Sequence, residues 1–371
     1  MGGRSFRGVR SCVFGGRVID RQQVRRAGLP VASVLLALAI GAVLIALQGH
    51  NPGKAALAVW NGAFNGRSAI GRTLEKATPL VLAGIAVIVA LKAGLFNIGA
   101  QGQLVFGALM SGYVGYRIGL PTVLHVPLGL LVGALFGALT AAIAGFLKAT
   151  RSVHEVISTI MLNTIISNLT EYLAGGPWRQ KGQAISRTAE IRPSAKIGHV
   201  FGLPLGFAIA VAAAFLVWFL ISRTTFGFRL TTVGANRHAA HYAGISVARI
   251  TVMAMAISGA LAGLGGAIET QGIVNRFEPG FNASLGFDGI TIALLARVSP
   301  RAAIPGALLI GALRASNTKL QADAGLAPEI VDAILGIILL LVAAPIIVRW
   351  VLRMRHDEAG EQLQLTSGWG S

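Results

Sequence analysis

Three short stretches of this chain place polar side chains among apolar neighbours, and they are where any chemistry would be done. The first is Ala93-Gly94-Leu95-Phe96-Asn97-Ile98-Gly99-Ala100-Gln101-Gly102-Gln103. Amides at membrane depth cost free energy unless they pair with other helices, with unwound backbone or with a solute. Glycines at 94, 99 and 102 suit a broken helix that lines a cavity. Asn97, Gln101 and Gln103 therefore have two readings, solute contact or glue between helices. The second stretch is Gly286-Phe287-Asp288-Gly289-Ile290-Thr291, where Asp288 is the only acid between Glu278 and Asp323. An intramembrane carboxylate marks a functional site, and the same residue suits a helix N-terminus. Phe96 and Phe287 flank these polar groups and can stack on a base or sugar face.

The third stretch runs from Arg223 to Ile245. Asn236 is a good N-cap and Gly244 a good stop, so residues 237–243 read as a two-turn helix exposing Ala239, Ala240 and Ala243 beside Tyr242. A helix that short is not stable alone. Docked into a partner's groove it can transmit rigid-body movement; the plainer reading is a solvated connecting loop, since basic cytoplasmic loops are ordinary.

Catalytic signatures are missing. There is no G-x-x-x-x-G-K-[ST] loop and no H-E-x-x-H, since His154-Glu155 is followed by Val156-Ile157-Ser158. No nucleophile stands with a base, as an intramembrane enzyme would need. Gly263-Leu264-Gly265-Gly266 lies in an apolar run and reads as helix packing. The single cysteine, Cys12, excludes a disulfide framework or a cysteine metal site within one chain.

The elements that must position these stretches are apolar. Of 371 residues, 54% are hydrophobic and 12% charged, half the usual charged share of about 25%. The net charge of +18 comes from 32 basic against 14 acidic residues, so it reflects missing acids and not a nucleic-acid partner. Apolar segments run over Leu29–Leu47, Thr78–Leu91, Leu95–Tyr116, Val123–Leu147, Val156–Leu173, Leu205–Ile221, Ile250–Ile268, Leu285–Leu295, Ala303–Leu313 and Ile330–Val348. The chain thus reads as an all-α polytopic membrane protein with about ten transmembrane helices, broken helices lining a central pathway. A basic cytoplasmic tail occupies 1–28, the transmembrane domain 29–349 with a coupling loop at 222–249 and an external loop at 174–204, and a polar cytoplasmic tail 350–371. This orientation puts 19 of the 32 basic residues on the cytoplasmic side, with both termini there. The external loop, carrying Arg179, Lys181, Arg187, Arg192 and Lys196, is its awkward part. Small residues recur every four positions at Gly129, Gly133, Gly137, Ala141 and Gly145, and again at Gly99, Gly107, Gly115 and Gly119, so both faces should pack against other helices.

Taken together, Gly94–Gln103, His154-Glu-Val-Ile-Ser-Thr-Ile-Met-Leu-Asn163, Val233–Ile245 and Gly286–Ala296 resemble permease subunits of ABC importers, in the branch handling branched-chain amino acids, simple sugars and nucleosides. The likeness is strongest to nucleoside-type permeases and covers about Thr73 to Arg349; members often carry an acid where this chain has Gln101. The resemblance implies a subunit in a prokaryotic cytoplasmic membrane that translocates nucleosides or related purines, with simple sugars as the alternative. It implies a cytoplasmic ATPase docking at Gly234, Asn236, Ala239, Ala240, Tyr242 and Gly244. It further implies an extracytoplasmic substrate-binding lipoprotein and a second permease, usually a paralogue. No cofactor is expected on this chain, ATP being used by the partner. An ion-coupled secondary transporter is the rival class, with Asp288, Glu171 and Glu269 as its candidate acids.

Overall fold

A computed structural model describes residues 21–200, 203–280, 284–327, 329–344 and 347–348, with backbone alone for 21–29 and Val200. The tail segments 1–20 and 350–371 lie outside the described residues. The helices are α1 (Arg21–Leu47), α2 (Pro52–Ala63), α3 (Arg67–Lys92), α4 (Ala100–Arg117), α5 (Thr122–Arg151), α6 (Glu155–Gly175) and α7 (Leu205–Arg223). They continue as α8 (Thr225–Ala235), α9 (Arg237–Tyr242), α10 (Val247–Glu269), α11 (Leu285–Leu295), α12 (Ala303–Ala315), α13 (Asn317–Ala324) and α14 (Glu329–Ala343). A π-helical turn, Thr270–Val274, extends α10, and a two-residue antiparallel ribbon pairs His199–Val200 with Leu203–Pro204.

Every expected apolar segment falls on a helix, but the segments are not ten equivalent spans. Among the described residues five helices are long and apolar enough to cross a membrane, over Pro30–Leu47, Arg67–Lys92, Thr122–Arg151, Leu205–Arg223 and Val247–Val274. With 11 and 13 residues, α11 and α12 are half-helices, about 16 and 20 Å long against a hydrocarbon core of about 30 Å. The segment expected from Leu95 loses its first five residues to a non-helical turn before α4.

Two helices form the axis. From Thr78 to Ala90 every residue of α3 is buried, so this helix has no lipid face there. It packs on α10, α11 and α12, while α10 packs on α3, α4 and α5. The two halves are thus exchanged, each axial helix packing on the other and on the two helices that follow the other in the chain. The stripe on α5 explains the closeness. A Cβ added at Gly137 would stand 2.8 Å from Gly263 Cα, and one at Gly145 3.0 Å from Met255 Cβ. The stripe on α4 behaves differently from expectation. Gly107 packs on Gly263 of α10, but Gly115 meets Ile191 and Gly119 meets Arg192, both in the segment after α6.

That segment, expected as an external loop, is a strap tied to the bundle. Thr188 N donates to Phe277 O at 3.0 Å, Ile191 N to Asn275 O at 2.9 Å, Arg192 N to Gly115 O at 3.0 Å and Ile197 N to Gln271 O at 2.9 Å. His125, fully buried on α5, is bonded to Ser194 Oγ at 2.9 Å. Four of the strap's basic residues brace it or fasten it to α4. Arg179 donates to Gln183 O and Ala184 O, Arg187 to Gln180 Oε1, Arg192 to Tyr116 O, and Lys196 pairs with Glu190 at 2.6 Å.

Three helices, α2, α8 and α13, lie in stretches expected as connectors. Asn51 caps α2, accepting from Gly53 N at 2.8 Å, with Pro52 at the first helical position. Within the expected coupling loop, residues 225–235 form α8, capped by Thr224.

A buried joint, an ion pair and a coupling helix

The turn between α3 and α4 is built to re-enter the bundle. Gly94 takes φ +68, a conformation that side chains disfavour, and the chain folds back so that Leu95 N donates to Ala90 O at 3.0 Å. Asn97 is then fully buried. Its Nδ2 donates to Gln103 Oε1 and to Ser258 Oγ, both at 2.8 Å, and its Oδ1 accepts from Gln103 Nε2 at 3.0 Å. Ser258 in turn donates to Ala86 O at 2.7 Å. Turn, α4, α10 and α3 are knotted by one polar network. In this state the amides of Asn97 and Gln103 act as interhelical glue, the plainer of their two readings.

Asn163 of α6 completes the joint, and sequence reasoning gave it no role although a quoted motif ends on it. Its Nδ2 donates to Ile98 O at 3.0 Å and its Oδ1 accepts from Gly102 N at 2.8 Å. One side chain therefore satisfies the turn and caps the first turn of α4 from another helix.

The second motif meets the first at Gln101, whose Oε1 accepts from Gly286 N at 2.7 Å. A Cβ at Gly286 would collide with Gln101 N and Cα and lie 2.8 Å from Ala100 C, so only glycine allows this approach. The Gly286 N–H needs an acceptor, which the amide oxygen of Gln101 supplies. Gln101→Leu strips Gly286 N–H of its acceptor and should cost about 1–3 kcal/mol, read as a lower melting temperature of the purified permease.

Asp288 lies in the first turn of α11, as a capping acid should, yet its partner is a cation. Arg314 of α12 reaches Asp288 Oδ2 with Nε at 2.7 Å and Nη2 at 2.6 Å. The same guanidinium donates to Ser284 Oγ at 2.7 Å and stands 3.3 Å from Asp332 of α14. Arg314 and Asp332 were missed, because nothing local marks them as partners. Phe287 is 44% exposed and Phe96 is half-buried, so the two aromatics keep more accessible surface than the amides beside them.

At the end of α3 that leads into this turn lies the predicted short helix. Asn236 Oδ1 accepts from Ala239 N at 2.9 Å, and the helix ends at Gly244 with φ +74. Tyr242 is 91% exposed, with Ala239 and Ala243 also open. Ala240 departs from expectation: it is fully buried, packed with Ala90, Ala93, Leu95, Leu230 and Val233. A Cβ at Gly234 would collide with Lys92 O and lie 2.9 Å from Gly94 N. The end of α8 is therefore pressed backbone to backbone against the very turn that carries Asn97.

Among the described residues no group of three or more His, Cys, Asp or Glu is placed to hold a metal. The family model described as "Branched-chain amino acid transport system / permease component" matches residues 69–343. The chain is 37% identical to the guanosine ABC transporter permease protein NupP of Bacillus subtilis over 330 residues, 87% of this chain and 95% of that one. It is 32% identical to the glucose ABC transporter permease protein TsgB13 of Haloferax volcanii, over 90% of this chain and 91% of that one. It is 31% identical to the nucleoside ABC transporter permease protein NupB of Lactococcus lactis, over 89% of this chain and 94% of that one. With its apolar helices, its half-helices and this match across most of its length, the chain belongs to the branched-chain amino acid transport permease family and is a multi-pass membrane permease subunit of an ABC transporter.

Proposed function

We propose that this permease carries nucleosides or related purines inward across the cytoplasmic membrane, driven by a separate ATPase that docks on α9. The observation that carries the reading is the backbone contact of Gly234 with the Lys92–Gly94 turn. It joins an exposed docking surface to the buried joint at Asn97, so a push on α9 reaches the junction of the two motifs. Solute preference is supported by the relatives named for guanosine and nucleosides. Glucose, named for another relative, shares with ribonucleosides a pair of adjacent ring hydroxyls and makes a simple sugar the second reading. The remaining parts are a second permease and an extracytoplasmic binding lipoprotein. The α9 end carries Lys92, Lys148, Arg151, Arg223, Arg229, Arg237 and Arg249, a concentration that supports a cytoplasmic placement for it, and the arginines of the two terminal segments support the same side for both termini.

The test is uptake of labelled guanosine by cells expressing the full transporter. Uptake should stop on ATP depletion and survive collapse of the ion gradient; the reverse would make the chain part of an ion-coupled carrier. Tyr242→Arg and Ala239→Arg alter only exposed positions and should remove the co-purifying ATPase, lowering uptake at least about 100-fold. Retained ATPase with both changes would show that docking lies elsewhere.

A further inference from the structure

One ionisable side chain on a bundle helix is used by nothing described so far. Glu171 lies on α6, a helix that packs only on α4 and α5 among its stronger neighbours. Trp178, just past the end of α6, stacks on Tyr113 of α4 with ring centroids 4.3 Å apart, and Ala174 shares a buried cluster with Ala108 and Leu109. α4 runs on to Arg117, so Glu171 stands roughly 15 Å below its end at 1.5 Å per residue.

The open face of α6 is divided along its length. At 100° per residue, Thr164, Ser167, Asn168 and Glu171 share one edge, while Met161, Ile165, Leu169 and Tyr172 share the other. All eight are exposed. Among the described residues, neither Asn168 nor Glu171 makes a side-chain hydrogen bond or ion pair. Toward the α9 end the polar edge gives way to Ile160 and Ile157, also exposed. An unpartnered carboxylate and amide facing acyl chains would be costly, so this edge faces something that donates hydrogen bonds.

Resting on the transport function proposed above, we infer that Glu171 and Asn168 form the hydrogen-bonding edge that receives the adjacent hydroxyls of the solute. One turn apart, their side chains are neighbours. An ionised carboxylate is a pure acceptor able to take two donors at once, and the amide adds one acceptor and two donors. A vicinal diol offers two hydroxyl donors at matching spacing. The class recognised is therefore a polyol ring, a ribose or a hexose, and not the purine base.

Uptake of guanosine and of 2′,3′-dideoxyguanosine by the complete transporter tests this, with glucose and 2,3-dideoxyglucose as the pair for a sugar. The wild type should prefer the diol over its dideoxy analogue by about 10- to 100-fold. Glu171→Ala should lower diol uptake to the dideoxy level and leave dideoxy uptake unchanged. Glu171→Gln, which keeps one acceptor oxygen, should keep part of the preference. An undiminished preference in Glu171→Ala overturns the assignment while leaving the transport function intact. Equal loss of both solutes, with less complex recovered, would mean that Glu171 pairs with the second permease, and also overturns it. A wild type that carries neither diol overturns the proposed function and this assignment together.

Discussion

Replacing Asp288 by alanine should cost this permease about 3–5 kcal/mol of folding stability, because a buried ion pair loses one member and leaves the other charged. Arg314 cannot shed its proton. It would keep only Ser284 and Asp332, whose side chain is 60% exposed. The sequence alone suggests a different outcome, lost uptake in a normally assembled complex, since Asp288 reads there as a free intramembrane acid. The double change Asp288→Leu with Arg314→Leu separates the two views. Removing both charges should recover most of the stability lost in the single variant, measured by thermal unfolding in detergent. A single variant that melts with the wild type but fails to transport would return Asp288 to direct solute contact.

What was readable from the sequence follows the range of the physics involved. Apolar runs, the α5 stripe and the Asn236 cap depend on neighbours within a few residues, and each is found where expected. The helices α2 and α8 were overlooked because their composition is mixed, although Asn51-Pro52 and Thr224 are sound start signals. Partners distant in the chain left no local trace. Arg314 lies 26 positions from Asp288, Ser258 lies 161 from Asn97, and Gly286 lies 185 from Gln101. The strap after α6 looked like a loose basic loop because its fastening is mostly backbone hydrogen bonding, which no residue type announces. Ala240 could not be told from Ala239 by type, only by which way a short helix is docked. The three motifs stand at points of close approach in the fold. Their chief visible role is to let separate segments touch, Gly286 on Gln101 and Gly234 on the Lys92–Gly94 turn, and glycine is conspicuous in sequence for that reason.

The largest effect on transport is expected from Gly234→Val. The added carbons would meet Lys92 O, Gly94 N and Ala93 C, all backbone atoms that no rotamer change can move aside. The end of α8, with α9 attached, must then lift away from the turn. Because that turn leads directly into Asn97, and Asn97 ties to Gln103 and Ser258, the shift severs the path between the docking surface and the joint. A displacement of about 1 Å between coupled groups is enough to cost 100-fold, so uptake should fall by at least that factor. The exposed face of Tyr242 and Ala239 is untouched, so the ATPase should still co-purify and still hydrolyse ATP. That combination, hydrolysis without uptake, differs from Tyr242→Arg, which should lose the ATPase itself. Gly234→Ala, with the smallest side chain that still collides, should fall between wild type and valine. If Gly234→Val transports normally with its ATPase bound, the contact with the Lys92–Gly94 turn is not the route by which the stroke enters the bundle.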